Sequence, residues 1–238
     1  MYKIFYIISR IIILIFSLYS IMFIFKRMNS IQYHLQNTYE NIYDIKEQLN
    51  SGDVICFFGD CYDSKWVDFF NNTITSHCGI IIRDPDSNDL YIYNSTPDIR
   101  NIDICKNKHI EGSQLNCFEN LISIYQGHCV VRKLEPPIQN DKNKMNLLKK
   151  IIKDTHHIPF TADPWRSYIS TKTNFIKPPN IYKETWCIWL VIYIYQYIGI
   201  LDPKILSHRI TTNYLLNDNK NINFLNGYNF SKLYYIRI

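Results

Sequence analysis

The segment from Ile4 to Phe25, IFYIISRIIILIFSLYSIMFIF, constrains the chain most. It runs apolar for the length of one membrane crossing and carries a single charge, Arg10. A helix this apolar all round has no wet face, so it does not belong on the surface of a globular domain. Lys26 and Arg27 follow at once and suit the headgroup layer. The rival reading is a cleaved signal peptide, which calls for a shorter apolar core and a small-residue cleavage site that the segment lacks. The expectation is therefore a retained single-pass anchor over 1–28. Lys3 and Arg10 oppose Lys26 and Arg27, so charge does not set its orientation.

The remainder of the 238 residues suffices for one domain with a real core. The net charge of +5 is modest and its basic residues are scattered, which gives no reason to expect nucleic acid. Lys142, Lys144, Lys149 and Lys150 read as the wet face of a helix. There are seven cysteines, at 56, 61, 78, 105, 117, 129 and 187, and no C-x-x-C pair. An odd count without paired spacing argues for reduced thiols and a cytosol-facing domain, with a Cys56–Cys61 disulfide as the alternative.

Residues 29–50 are polar with apolar residues at helical spacing and read as a stalk or linker. The domain proper, 51–238, opens on a turn (SGD, with Asp53 as a turn residue) and a strand, VICFF. DSKWVDFFN reads as helical. SHCGIII (76–82), the turn formers RDPDSND and LYIYNS (90–95) read as a β-hairpin. Residues 97–127 show only a weak pattern and read as irregular. CVVRKL is a strand, KMNLLKKIIKDT a helix by its apolar stripe, and SKLYYIRI a closing strand. ETWCIWLVIYIYQYIGIL (184–201) reads as a buried helix ending near Gly199, its aromatic residues serving the core. The order is α+β, built on an antiparallel sheet packed against helices.

Cys187 sits at the start of that last helix, after Glu184 and Thr185, which can cap it. Free N–H groups and the positive dipole end favour a thiolate there. The plain alternative is a small buried apolar residue. A thiol nucleophile needs a base, and the base an orienting group. His77, on a strand after a loop, is the candidate base. A hairpin register with 77 facing 96 and 79 facing 94 puts Asn94 diagonal to His77 on the same face. A slip by one residue substitutes Ser95.

These segments, in order, resemble the circularly permuted NlpC-like, papain-related cysteine hydrolases, and most closely the YiiX-like group with its poxvirus relatives. GDVICFF carries the opening Gly52-Asp53, and SHCGIII carries Ser76, His77 and Gly79 of the family's SH-x-G. LYIYNS, VVRKL and ETWCIWLVIYIYQYIGIL follow, and the later DPKIL…TTNYLL is similar to the family's next segment. The resemblance spans about residues 51–217. It implies a permuted papain-like fold, Cys187 as nucleophile, His77 as general base and Asn94 as the residue that orients it. There are two departures: Cys187-Ile188-Trp189 stands where relatives often read Cys-Ser-Glu, and Asn94 stands where the orienting residue is often acidic. The expected function is a membrane-anchored thiol hydrolase or acyltransferase acting on a peptide, amide or acyl-lipid bond through a thioester, without cofactor. The alternatives are an inactive domain of that fold serving as a membrane-bound structural or interaction protein, and a basic membrane protein with no site.

His77-Cys78, His128-Cys129, His109, Cys117 and His156-His157 are the candidate metal ligands by residue type. Strand neighbours point to opposite faces and no spacing matches a zinc module, so no metal is expected. Asp163, Trp165 and Arg166 fall in a loop ahead of Cys187 and read as surface, or as the lining of a substrate cleft.

Overall fold

The alternation in HCGIIIR and LYIYNST places two strands back to back, and the polar run between them forms the turn. The Asp84 carboxylate accepts the backbone N–H groups of Asp86 and Ser87, and Asn88 takes the left-handed conformation at φ 64°. The computed structural model describes residues 2–35, 39–59, 73, 75–97, 99–125, 128–161, 169, 173, 180–217 and 221–237. The expected helix at DSKWVDFFN and the loop residues Asp163, Trp165 and Arg166 lie outside the described residues.

Two units divide the chain, 1–38 and 39–238. The first is α1 (Tyr2–Leu35). Its Ile4–Met22 stretch is long and apolar enough to cross a membrane and has no buried residue. Length and composition of this kind meet the needs of an anchor and of a signal sequence alike.

The second unit is a mixed α+β domain. In chain order it contains β1 (Tyr39–Glu40), α2 (Ile42–Lys46), β2 (Val54–Phe57), β3 (His77–Arg83), β4 (Leu90–Thr96), β5 (Ile102–Asp103), β6 (Lys108–His109) and β7 (Gly112–Cys117). It continues with α3 (Phe118–Ile124), β8 (His128–Arg132), β9 (Leu134–Glu135), α4 (Lys142–Thr155), α5 (Cys187–Tyr197), α6 (Asn213–Leu216), β10 (Asn229–Phe230) and β11 (Tyr234–Arg237). Seven strands form the main sheet in the order β1-β11-β8-β2-β3-β4-β7.

The sheet departs from the expected antiparallel form at one edge, where β1 pairs with β11 in parallel. A two-residue strand at the start of the domain carries no periodic signal, so only the partner reveals it. The same edge removes 39–50 from the expected stalk: Ile45 and Leu49 are fully buried against the sheet. The stretch 97–127 is likewise regular over β7 and α3. Cys56 carries a free thiol, which corrects the alternative of a Cys56–Cys61 disulfide.

Alternation divides the core into two layers. Val54, Cys56, Cys78, Ile80, Tyr93 and Val130 face α5, which is apolar on nearly every side and buried among them. Ile55, Phe57, Ile81, Ile92, Cys129 and Val131 face the opposite way, towards α2 and α3. The Tyr195 hydroxyl donates to the Gly52 carbonyl at 2.6 Å and so pins α5 to the turn before β2. Gly52 sits at φ 95°, where a Cβ would come within 2.8 Å of the Ile138 side chain, so the turn requires glycine. Asp53, expected as a turn residue, is fully buried and splices this corner together. Its carboxylate accepts the N–H groups of Asn50 and Leu134, each at 2.8 Å.

Candidate active site

Three elements bring the expected site residues together. Cys187 is the first residue of α5, with Trp186 as N-cap in extended conformation. The cap differs from expectation, since no side chain caps this end. Glu184 instead accepts from the Thr161 hydroxyl at 3.2 Å. The helix start is thus left with first-turn N–H groups that have no intrahelical acceptor.

His77 is the first residue of β3, and Gly79 pairs with Asn94 of β4, the register read from the hairpin. In that register His77 Nε2 stands 3.2 Å from Asn94 Oδ1. Ser95, the residue a slipped register would supply, is buried with its hydroxyl unpartnered and does not bond to His77. The imidazole also lies in a stack of rings, 5.8 Å from Phe57 and 5.4 Å from Tyr125. These contacts fix the ring plane, and Asn94 fixes its rotation.

The Cys187 thiol meets both Cys78 and His77. Hydrogen bonding with the Cys78 thiol, then with the His77 imidazole, holds Cys187 well below the usual cysteine range, although burial pushes it up. The backbone N–H of Cys78 acts in the same direction. Cys78 itself goes the other way, since its apolar enclosure raises it well above that range. Of this coupled pair Cys187 is the more acidic thiol, because it alone has the imidazole and the helix start beside it. The remaining core thiols are inert by the same reasoning: burial pushes Cys129 up to about 12 and raises Cys56 further. Cys187 and His77 retain 4% and 6% of their exposure. Trp186 stacks on Trp189 with centroids 4.8 Å apart next to the thiol.

Asn94 does not stand alone. Its Nδ2 donates to Asn116 Oδ1 at 2.8 Å. Asn116 Nδ2 donates to Gln114 Oε1 at 2.9 Å and to the Ile102 carbonyl at 3.1 Å. Gln114 Nε2 donates to the Ile110 carbonyl at 2.9 Å. All three amides are at most 1% exposed. Sequence reading missed Asn116 and Gln114 because β7 presents these polar residues to the interior and so shows no apolar alternation. The signal available was three amides at alternate positions on neighbouring strands.

Among the described residues, Asp103, Cys105 and His156 form the one group whose donor atoms could hold a metal, all within 4.8 Å of one another. Two of the three already have partners within the protein, while Cys105 is a free, exposed thiol. Asp103 accepts from the Leu115 and Lys106 N–H groups, and its Oδ1 meets His156 Nε2 at 2.9 Å. Asp103 and His156 are thus already hydrogen-bonded to each other within this group. Of the candidate ligands read from sequence, His156 belongs to this group.

No family model matches the chain, and no curated protein matches it. Among solved structures it is similar to the crystal structure of the metalloprotein YiiX from Escherichia coli O157:H7, a DUF1105 protein. The TM-score is 0.44 at 17% identity, and the match covers 63% of this chain and 66% of that one, just under two thirds of it.

Proposed function

We propose that the chain is a cysteine hydrolase or acyltransferase of permuted papain-like type, held at a membrane by α1, with its domain in a reducing, cytosol-facing compartment. One observation carries this reading: a cysteine at a helix start meets a histidine whose Nε2 is held by a buried amide. Asn94 occupies Nε2, so Nδ1 is the nitrogen left for the thiol. His77 Nδ1 takes the Cys187 proton, and the thiolate attacks the carbonyl carbon of an amide or ester. The Cys187 N–H, at the open end of α5, donates to the oxyanion. The imidazolium returns its proton to the departing amine or alcohol, leaving a thioester. Water or another acceptor gives a proton to His77 as it attacks, and Cys187 is released as thiolate. Peptide, amide and acyl-lipid carbonyls all fit this chemistry.

The low exposure of Cys187 and the Trp186–Trp189 stack favour a second reading, an inactive domain that kept the fold as a membrane-bound interaction protein. Alkylation decides between them. The full chain in detergent micelles is treated with iodoacetamide across pH, and the rate at each cysteine is read by peptide mass. Exposed Cys105 serves as internal reference. We expect Cys187 to react near pH 6, where an ordinary thiol is protonated, and to lose that reactivity in His77→Ala. If Cys187 reacts no faster than Cys105, and His77→Ala changes nothing, the enzyme reading fails.

A further inference from the structure

Three fully buried amides in a row are costly unless each donor and acceptor is matched. Their matching here has a direction, and the direction is forced from its far end. The carbonyls of Ile110 and Ile102 can only accept, so the NH2 groups of Gln114 and Asn116 must face them. Gln114 Oε1 then faces Asn116 and accepts from it. Asn116 Oδ1 is left to face Asn94 and must receive that residue's NH2. Asn94 Oδ1 is thereby turned to His77 as an acceptor. A nitrogen facing an acceptor must carry the proton. Asn94 also has the Ile92 carbonyl at 3.4 Å, too long to hold its amide without Asn116.

We propose that Asn116 and Gln114 are positioning residues which, acting through Asn94, lock neutral His77 as the Nε2–H tautomer and so keep the Nδ1 lone pair for Cys187. The consequence for catalysis rests on the cysteine-hydrolase reading above. The tautomer itself does not. The register supplies the geometry. Asn94 faces Gln114 across the β4–β7 pair and Ile92 faces Asn116, so all three amides lie on the His77 side of the sheet. With the other tautomer, Nδ1–H would face the thiol, and Nε2 would set a lone pair against the Asn94 oxygen. Turning Asn94 to repair that clash would set its NH2 away from Asn116 and break the row at every member.

The test is nitrogen NMR of the full chain in micelles, labelled with 15N-histidine, at a pH where His77 is neutral. Long-range proton–nitrogen correlations distinguish a protonated from a bare ring nitrogen. Wild type is expected to show protonated Nε2 and bare Nδ1; a protonated Nδ1 together with a bare Nε2 overturns the proposal with no variant needed. In Asn116→Leu and Gln114→Leu the lock is expected to loosen, giving mixed tautomers and Cys187 alkylation at pH 6 slower by about tenfold, the scale on which outer partners of a reacting group act. If both leucine variants fold and keep a single Nε2–H form, Asn94 orients His77 unaided and the proposal fails. If wild type shows the expected tautomer but Cys187 is unreactive, the hydrolase reading fails while the amide lock stands.

Discussion

At the scale of single residues, Gly79 shows how little room the site leaves. A Cβ there would come within 2.5 Å of Ile92 Cγ2, 3.0 Å of the Tyr93 carbonyl and 3.1 Å of Asn94 Cβ. Two of these neighbours are backbone or lie next to it, so β4 itself would have to move. Gly79→Ala is expected to cost about 1–3 kcal/mol in thermal unfolding. It should also slow Cys187 alkylation by pushing Asn94 away from His77. Unchanged stability and reactivity would mean that the β3–β4 pair gives easily. Asp53 poses a contest of a different kind. Burial raises its carboxyl to about 7, while the N–H groups of Asn50 and Leu134 pull it down. A folded value above the ordinary carboxylate range means the protonated form favours folding. Its contribution to stability is therefore full below about pH 4 and is lost as pH rises through 7. The 13C shift of the Asp53 carboxyl is expected to titrate near neutrality. A midpoint at or below 4 would show that the two N–H donors outweigh desolvation.

At the scale of elements, the strands that alternate were legible and those that do not were missed. HCGIIIR and LYIYNST alternate between two apolar layers, and a turn rich in Asp, Ser and Asn fixes their register, so the Gly79–Asn94 pairing could be read in advance. β7 pairs with β4 along its whole length yet buries Ser113, Gln114 and Asn116, so its hydropathy resembles a loop. The parallel β1–β11 edge joins residues almost two hundred positions apart and leaves no local trace. Arg132, read as part of a strand, does more than occupy one. It donates to the carbonyls of Leu215, Asn217 and Ser231 at 2.5 to 3.1 Å and lies 5.0 Å over the Phe230 ring. One guanidinium thus ties β8 to α6 and to the approach to β11. Arg132→Leu would strand the buried carbonyls of Leu215 and Ser231, while exposed Asn217 can turn to water. The expected loss is about 3 kcal/mol or more by thermal unfolding, well beyond an ordinary surface change. A loss under 1 kcal/mol would show that the closing segment holds without this clamp.

At the scale of the whole molecule, the apolar N-terminus and the thiols must agree on one compartment. The charges flanking Ile4–Phe25 are balanced, so they leave orientation open. The cysteines supply the missing information. All six among the described residues are free thiols, and exposed Cys105 in particular would invite oxidation in a secretory compartment. A thiolate at Cys187 would also be wasted where disulfides form. Both arguments support the proposed placement of residues 39–238 on the reducing side; whether α1 is retained is a separate question. Two measurements on whole cells check this. The membrane fraction should retain the chain through alkaline carbonate extraction with an intact N-terminal peptide; a mature form lacking the first 25 or so residues would make α1 a signal sequence. A membrane-impermeant maleimide should then leave Cys105 unlabelled in intact cells and label it after permeabilisation. Labelling before permeabilisation would put the domain outside. The site would then have to keep its thiol reduced without help from the cytosol, and Cys187 would be expected to be found oxidised rather than reactive.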